Sequence, residues 1–175
     1  MFPNSSDPVV NVYYGQIKRS IVVCLENQCW DAAVKLIFSG IDTMAFLGMP
    51  ENQTDVQRND FITWVEQYIR FPCKEQVTGL DLYGARCGML HNHSVYSSLA
   101  REGKCRWVGY MDKSIPEVKY DPAASKDLVL VSISALAESF FAGVDRFLID
   151  VFSNSDKAKI AEGRLKEMVH TFPMK

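Results

Sequence analysis

Apolar side chains recur every three or four positions along most of the chain, which is the period of an amphipathic α-helix. The stretch 134–152 shows this most clearly, with apolar residues at steps of 4, 4, 3 and 4. A wider apolar stripe covers residues 30–47 and predicts a helix that is buried on most sides. The same pattern predicts further helices over 14–27 and 54–71, from 78 onward and from 153 onward.

Polar residues that can cap a helix stand at three of these starts. Thr54, Thr78 and Ser153 are each followed three positions later by Gln or Asp, a spacing at which the two side chains satisfy free backbone N–H groups. Pro72 is a typical residue at a helix end. Residues 1–11 are rich in Pro, Asn and Ser, and we expect them to be loose.

Two short segments, "CRWVGYM" and "DLVLVSI", have the β-branched and aromatic content of strands and are separated by a turn-rich stretch. They predict a two-stranded antiparallel ribbon over 106–111 and 128–132, inserted at about 105–132. The expected fold is therefore mainly α, an antiparallel helical bundle of five to six helices with a small two-stranded β-ribbon insertion. Its length of 175 residues predicts a single domain over 1–175.

Composition and charge narrow the class of protein. The chain is 47% hydrophobic, which is enough for a core, and its net charge is −2. A near-neutral chain has no bulk attraction for polyanions, so we expect no DNA partner, and contact with RNA would need a local patch. The first ten residues lack the basic and apolar regions of a signal peptide, and no apolar run reaches membrane-spanning length. We expect a soluble cytoplasmic protein and no membrane partner.

The cysteines point away from structural metal and disulfide sites. There are five, an odd number, and no two are spaced as C-x-x-C. Free thiols in a reducing compartment are the simplest interpretation. We expect neither a metal nor a cofactor.

The segment "DLYGARCGMLHNHS" concentrates the candidate chemistry, because Arg86 is followed by His91 and His93. At about 100° per residue, His93 shares the face of Arg86 on a straight helix, and His91 lies about 140° away. A helix that ends near His91 would let either ring turn toward Arg86. Arginine binds phosphate oxygens bidentately, and imidazole exchanges protons near neutral pH, so the pair suits metal-free phosphodiester cleavage by a ribose 2′-hydroxyl.

Asp42 lies within the most buried predicted helix, in "FSGIDTMAF". A buried carboxylate is costly unless it is paired, and Arg86 is the partner we expect for it. Asp42 would then hold the guanidinium in place, or the two would form a purely structural ion pair.

Gly84 and Gly88 are four positions apart and form a bare strip on the same helix. Each interior glycine costs about 1 kcal/mol relative to alanine, so we expect another backbone to approach closely there. The approaching element would be a neighbouring helix, a second subunit or a ligand.

These residues together resemble the HEPN superfamily, α-helical bundle proteins that include many RNases. Its signature is an arginine followed four to six residues later by a histidine, and both Arg86-x4-His91 and Arg86-x6-His93 fit. An acidic residue on an earlier apolar helix is typical of the family, and Asp42 fits that element. The resemblance covers about residues 17–94, and "LYGARCGMLH" is also similar to bacterial proteins of unknown function.

The resemblance implies a metal-independent RNase whose arginine–histidine motifs converge at a homodimer cleft. Arg86 would stabilise phosphate charge, His91 or His93 would handle the proton or bind phosphate, and the glycine strip would suit the dimer interface. The family usually has a polar residue, often asparagine, where this chain has Cys87.

Two alternatives stay open at this stage. A non-catalytic scaffold that binds a nucleotide or another protein explains Cys87 and the modest charge equally well. A thiol enzyme is the other, since Cys87 and His91 are four positions apart and would share one helix face.

Overall fold

The computed structural model describes residues 7–112 and 115–168. Most of them are helical. The helices are α1 (Pro8–Asn11), a π-helical segment (Val12–Lys18), α2 (Arg19–Glu26), α3 (Trp30–Gly48), α4 (Arg58–Tyr68), α5 (Gly79–Asn92), α6 (Ser98–Arg101), α7 (Ile133–Phe152) and α8 (Ser155–Leu165). The strands are β1 (Trp107–Met111), β2 (Val118–Lys119) and β3 (Leu128–Ser132).

Helix α3 is the centre of the core, as its wide apolar stripe predicts. It packs against α2, α4, α5, α7 and α8. Its fully buried side chains span about half of its circumference, and Asp31 and Ser39 on the remaining side are exposed. At Gly40 the approach of α7 is so close that a Cβ would come 2.6 Å from the Phe140 ring. Two predicted core helices, α3 and α7, therefore pack directly on each other.

The N-terminal helix begins earlier than the sequence pattern predicts. Residues 1–6 of the expected loose segment lie outside the described residues, but helical structure already starts at Pro8. The Asp7 carboxylate caps it by accepting from the N–H groups of Val9 (2.8 Å) and Val10 (3.2 Å). Pro8 suits this position because proline has no backbone N–H, and an N–H at the first helical residue would have no acceptor within the helix.

The three predicted caps have different outcomes. Thr78 and Asp81 form the expected capping box of α5, confirming that prediction. At α4 the prediction is wrong, because Gln57 rather than Thr54 is the cap and pairs with Asp60. At α8 it is also wrong by one residue, since Asn154 caps the helix. Several adjacent polar residues at the start of α4 and at the start of α8 are suitable caps. Local spacing does not determine which of them is the last residue before the helix.

One predicted helix end also differs from the structure. Helix α4 stops at Tyr68, before the expected end at Pro72. The Arg146 guanidinium on α7 donates from Nε (2.9 Å) and Nη2 (2.6 Å) to the Tyr68 carbonyl, a tertiary contact that local sequence does not reveal. Helix α8 ends at Leu165; the apolar spacing of the sequence also predicts Phe172 on the inner face of this helix, but that residue lies outside the described residues.

The predicted antiparallel two-stranded ribbon is wrong, although both strands lie where the sequence places them. The sheet has three strands in the order β1-β3-β2. Strands β1 and β3 run parallel, and β2 pairs antiparallel with β3. The connection between β1 and β3 has the dozen or more residues that a parallel crossover requires, whereas a simple ribbon needs only a short turn.

The prediction of a bundle of five to six helices is also wrong. The described chain is mainly helical with a small mixed sheet, and it includes short helices such as α1 and α6. Four residues make about one turn, so a helical period cannot be recognised in them. None of the helices in the described ranges combines the length and apolar character that a membrane span requires.

An ion pair joins the start of α5 to the sheet. Asp81 is almost fully buried, and its Oδ2 accepts from Nε (3.1 Å) and Nη2 (2.5 Å) of Arg106, the residue just before β1. Its Oδ1 accepts from the Arg106 backbone N–H at 2.8 Å. The helix that carries the Arg86 motif is thereby anchored at its N-terminal end.

Candidate functional site

Helices α3 and α5 bring the four candidate residues to one side of the molecule. Asp31, Lys35 and Asp42 lie within about 40° around the axis of α3, so they share one face. Helix α5 packs against α3 and carries Arg86 and His91 in its second half. The site is therefore a polar strip between two helices of the core.

Asp42 holds the Arg86 guanidinium in a fixed orientation. Arg86 donates from Nε (3.0 Å) and Nη2 (2.9 Å) to the same Asp42 oxygen, Oδ2. Its third nitrogen, Nη1, lies 3.4 Å from Nε2 of His91, at the long end of the hydrogen-bond range. Because a guanidinium can only donate, this arrangement has His91 Nε2 as the acceptor. The expected contact between Asp42 and Arg86 is present, and His91 stands at the other end of the guanidinium.

Straight-helix geometry favours His93 as the partner of Arg86, and this interpretation is wrong. Helix α5 ends at Asn92, and His93 has a left-handed backbone with φ 50°. The N–H groups of His93 and Ser94 both turn back to the carbonyl of Gly88. The chain thus leaves the helix at His93, and the shared face expected for a straight helix no longer applies.

His93 contacts α3 instead. Its Nδ1 lies 2.7 Å from Lys35 Nζ, and its Nε2 lies 3.1 Å from Asp31 Oδ2. All three side chains are at or near the surface. Neither Lys35 nor Asp31 is a candidate from the sequence, although their spacing of four on a helix would place them together. His93 therefore forms a surface cluster next to the site and is not in contact with Arg86.

Burial and pairing act in opposite directions on the Asp42–Arg86 pair. Burial raises the pKa of Asp42 above its usual value, although Arg86 and His91 oppose that rise. Burial acts to lower the pKa of Arg86, but hydrogen bonds and charge interactions with Asp42 and Cys87 outweigh it, and the pKa is raised. Each member of the pair therefore offsets the free-energy cost of partly burying the other's charge.

Replacing Arg86 by glutamine is expected to make stability depend on pH through Asp42. A carboxyl group whose pKa is raised by folding destabilises the folded state as pH rises. The loss of stability begins near the ordinary pKa of 3.8 and continues up to the raised pKa of the folded state. Losing Arg86 raises that pKa further. Since the two side chains are 23% and 25% exposed, we expect an extra loss of about 1–3 kcal/mol at pH 7 relative to pH 4, below the value for fully buried pairs. Urea unfolding at both pH values measures it.

The control for this prediction is the double variant Arg86→Gln with Asp42→Asn. It removes the titrating carboxyl, so the additional pH dependence should disappear. An equal loss of stability in Arg86→Gln at pH 4 and pH 7 would show that Asp42 is not the group responsible.

A cavity of about 230 Å³ opens beside the Arg86–Asp42 pair. Its lining adds Gln57, Arg58 and Tyr83, none of which the motif predicts. The Arg58 guanidinium lies over the Tyr83 ring at 5.5 Å, in cation–π geometry. Two arginines therefore face one small cavity. The only sequence signal for Tyr83 is its position three residues before Arg86 on the same helix.

Cys87 follows Arg86 on α5 and is partly buried. Burial raises the pKa of the Tyr83 hydroxyl, and interactions with Cys87 add to that rise. His91 Nε2 faces Arg86 Nη1, and among the described residues no hydrogen bond links His91 to the Cys87 thiol, so the alternative of a thiol enzyme gains no support.

The glycine strip of α5 is covered by the chain's own following segment. A Cβ on Gly84 would lie 2.5 Å from Cys105 Sγ, and one on Gly88 would overlap the backbone carbonyl of Ser94. Close approach is therefore the correct explanation of the strip. A neighbouring helix or second subunit as the approaching element is wrong, since residues 94–105 fold back along this face.

Gly88→Ala is expected to destabilise the protein by about 1–3 kcal/mol, because the methyl group would have to displace backbone that closes the end of α5. Gly163→Ala on α8 is the matched control, since nothing lies within 4 Å of its Cβ position. That change should stabilise by about 0.5–1 kcal/mol through helix propensity. Thermal unfolding of both variants measures the difference, and equal effects would contradict the close approach.

In residues 7–112 and 115–168, no group of three or more His, Cys, Asp or Glu side chains is arranged to hold a metal ion. Comparison of the chain with protein-family models, with curated proteins and with solved structures gave no significant match. The resemblance to the HEPN superfamily therefore stays a prediction that rests on the motif residues.

Proposed function

We propose that the protein is a metal-independent endoribonuclease of HEPN type, with Arg86 and His91 as its catalytic residues. One observation carries the proposal: Asp42 fixes two nitrogens of the Arg86 guanidinium, and the remaining nitrogen faces His91 Nε2. A phosphate that binds Nη1 would lie within reach of the imidazole. Asp42 is a positioning residue in this proposal, because it acts through Arg86.

The cleavage would use the substrate's own nucleophile. The ribose 2′-hydroxyl attacks phosphorus, the bond from phosphorus to the 5′-oxygen breaks, and a 2′,3′-cyclic phosphate and a free 5′-hydroxyl result. His91 Nε2 accepts the proton of the attacking hydroxyl, and solvent protonates the leaving oxygen. Arg86 stabilises the negative charge that builds up on the phosphorane oxygens. A group that transfers protons and a fixed cation are sufficient for this reaction.

The resemblance also implies a homodimer that places two such sites in one cleft. Val95 and Tyr96, in the segment just after α5, are exposed apolar residues close to His93. They are suitable contacts for a second copy next to the site. A mass of two chains in light scattering would support this part of the proposal, and the mass of one chain would exclude the composite cleft.

The test is cleavage of single-stranded RNA by the purified protein in EDTA. Products with 2′,3′-cyclic phosphate ends, from RNA but not from a DNA of the same sequence, are the expected result. No cleavage across RNAs of varied sequence would reject the proposal.

A non-catalytic role in binding phosphate groups is the second candidate. The cavity at Arg86 is also lined by Arg58 and Tyr83, whereas His91 is not among its lining residues. At about 230 Å³ it is smaller than most ligand pockets and suits a single phosphate group. Binding of a nucleotide or RNA that depends on Arg58 and Arg86, without cleavage, would favour this function.

A further inference from the structure

A second cavity, of about 400 Å³, lies where the end of α3 meets α4, α7 and α8. It shares no lining residue with the cavity at Arg86. Its volume falls within the range of about 300–1,000 Å³ that is typical of sites for small organic ligands. The RNase proposal makes no use of it.

Three aromatic side chains form much of its wall. Trp64, Tyr68 and Phe147 all line the cavity and contact one another, with ring centroids 5.4 Å apart for Trp64–Tyr68, 6.0 Å for Trp64–Phe147 and 5.4 Å for Tyr68–Phe147. Leu47 and Val151 add aliphatic surface. The faces of aromatic rings carry partial negative charge and attract cations.

Two carboxylates line the same cavity, and each uses only one oxygen. Asp150 Oδ2 accepts from the Tyr68 hydroxyl (2.5 Å) and from Lys157 Nζ (2.8 Å). Asp60 Oδ2 accepts from the Gln53 side-chain amide (2.5 Å) and from a backbone N–H (2.7 Å). Within the described part of the chain, neither Oδ1 accepts a hydrogen bond. The pKa of Asp150 is lowered by Lys157 and Tyr68, so the carboxylate stays charged at neutral pH.

The indole N–H of Trp64 is a buried donor without an acceptor among the described residues. The side chain is only 4% exposed. A buried donor that lacks a partner costs about 1–3 kcal/mol, so buried groups of this kind are usually satisfied. This donor does not by itself define a ligand, but the Trp64 ring lines the cavity, so its N–H signal reports on a compound that packs there.

We propose that this cavity binds a small organic cation, a protonated amine with an apolar body. Two carboxylates against the single ammonium of Lys157 leave the lining with an excess of negative charge. The apolar body would pack on the three rings, and the ammonium would bind the unused Asp150 oxygen. The site shares no lining residue with the cavity at Arg86, so its tests do not depend on the RNase proposal.

Three probes with the same phenyl body and different charge test the ligand class. Phenethylamine is the cation, 2-phenylethanol is the neutral compound and 3-phenylpropionate is the anion. In calorimetry the amine should bind about tenfold more tightly than either of the others. It should also shift the indole N–H signal of Trp64 in nuclear magnetic resonance, assigned among the three tryptophans with Trp64→Phe. An unshifted signal, or equal binding of amine and propionate, would overturn the proposal.

Charge variants test the role of Asp150. Asp150→Asn should weaken amine binding about tenfold and leave the alcohol unchanged. Lys157→Gln should strengthen amine binding, because it removes the ammonium that competes for the Asp150 carboxylate. Glu162→Gln on the exposed side of α8 is the matched control and should have no effect. Equal losses in Asp150→Asn and Glu162→Gln would contradict the proposed contact.

A steric variant tests the location without disturbing the core. Thr63 is exposed and lines the cavity, so Thr63→Trp should obstruct the opening and lower the affinity for phenethylamine at least about tenfold while the protein stays folded. Unchanged affinity in a folded Thr63→Trp variant would show that the amine binds elsewhere.

Discussion

Replacing His91 by asparagine is expected to lower the rate of RNA cleavage in EDTA by about 10²–10⁴-fold, the usual contribution of a positioned proton-transfer group. The imidazole Nε2 of His91 lies 3.4 Å from the guanidinium of Arg86, and asparagine cannot take up a proton near neutral pH. Initial rates on a single-stranded RNA at pH 7, at substrate concentrations above and below KM, measure the loss. We expect it mainly in kcat, because His91 acts on the transferred proton.

His93→Asn is the matched control, since it makes the same chemical change two positions away. Asparagine tolerates the left-handed backbone that this position requires, so the end of α5 should stay intact. We expect the cleavage rate of His93→Asn to stay within about threefold of the unmodified protein, because His93 contacts Lys35 and Asp31 and not Arg86. A large loss in His93→Asn with a small one in His91→Asn would reverse the assignment of the two histidines.

Arg86→Lys separates charge from geometry in the same assay. Lysine keeps the positive charge but cannot make the two bonds to Asp42 Oδ2 and still present a third nitrogen to His91. Loss of cleavage in a variant with an unchanged helical circular dichroism spectrum would therefore support the oriented guanidinium as the functional group.

Asp81→Ala is expected to lower the free energy of unfolding by about 3–5 kcal/mol, the usual cost of breaking a buried ion pair by removing one partner. The Asp81 side chain is 4% exposed and serves both the Arg106 guanidinium and the Arg106 backbone N–H. Without it, Arg106 keeps its charge in a largely buried position. Urea or thermal unfolding at pH 7 measures the effect.

Asp60→Ala is the matched control for this prediction. Asp60 has the same position in the capping box of α4 as Asp81 has in that of α5, but it forms no ion pair with an arginine among the described residues. We expect a loss of about 0.5–2 kcal/mol from the cap and the hydrogen bond to Gln53. Similar losses in the two variants would mean that capping accounts for the effect and that the pair with Arg106 adds nothing.

The Asp81 prediction also bears on the site. The pair between Asp81 and Arg106 fixes the start of α5, and Arg86 lies little more than one turn further along the same helix. In the variant Arg106→Met, the buried carboxylate loses its countercharge and α5 loses its anchor to β1. We expect a loss of stability comparable to that of Asp81→Ala, together with weaker protection of the α5 amides in hydrogen exchange.

Local sequence predicts those parts of the fold in which the environment of a residue is set by its neighbours along the chain. The periodic stripes of α3 and α7 and the capping box at Thr78 and Asp81 are of this kind, because a helix repeats its faces every few residues. The pairing of Asp42 with Arg86 could also be predicted, since a carboxylate inside the most buried helix requires a cation and the motif helix carries one.

The remaining features depend on contacts between distant segments. The parallel pairing of β1 with β3 is set by the path of the connection, and the two strand patterns look alike in either direction. The contact of His91 rather than His93 with Arg86 follows from the way the chain leaves α5 at His93. The glycine strip has residues 94–105 as its partner, and Arg58 reaches the cavity at Arg86 from another helix. Periodicity in the sequence identifies the apolar face of a helix. The segment that packs against that face is determined by the fold of the whole chain.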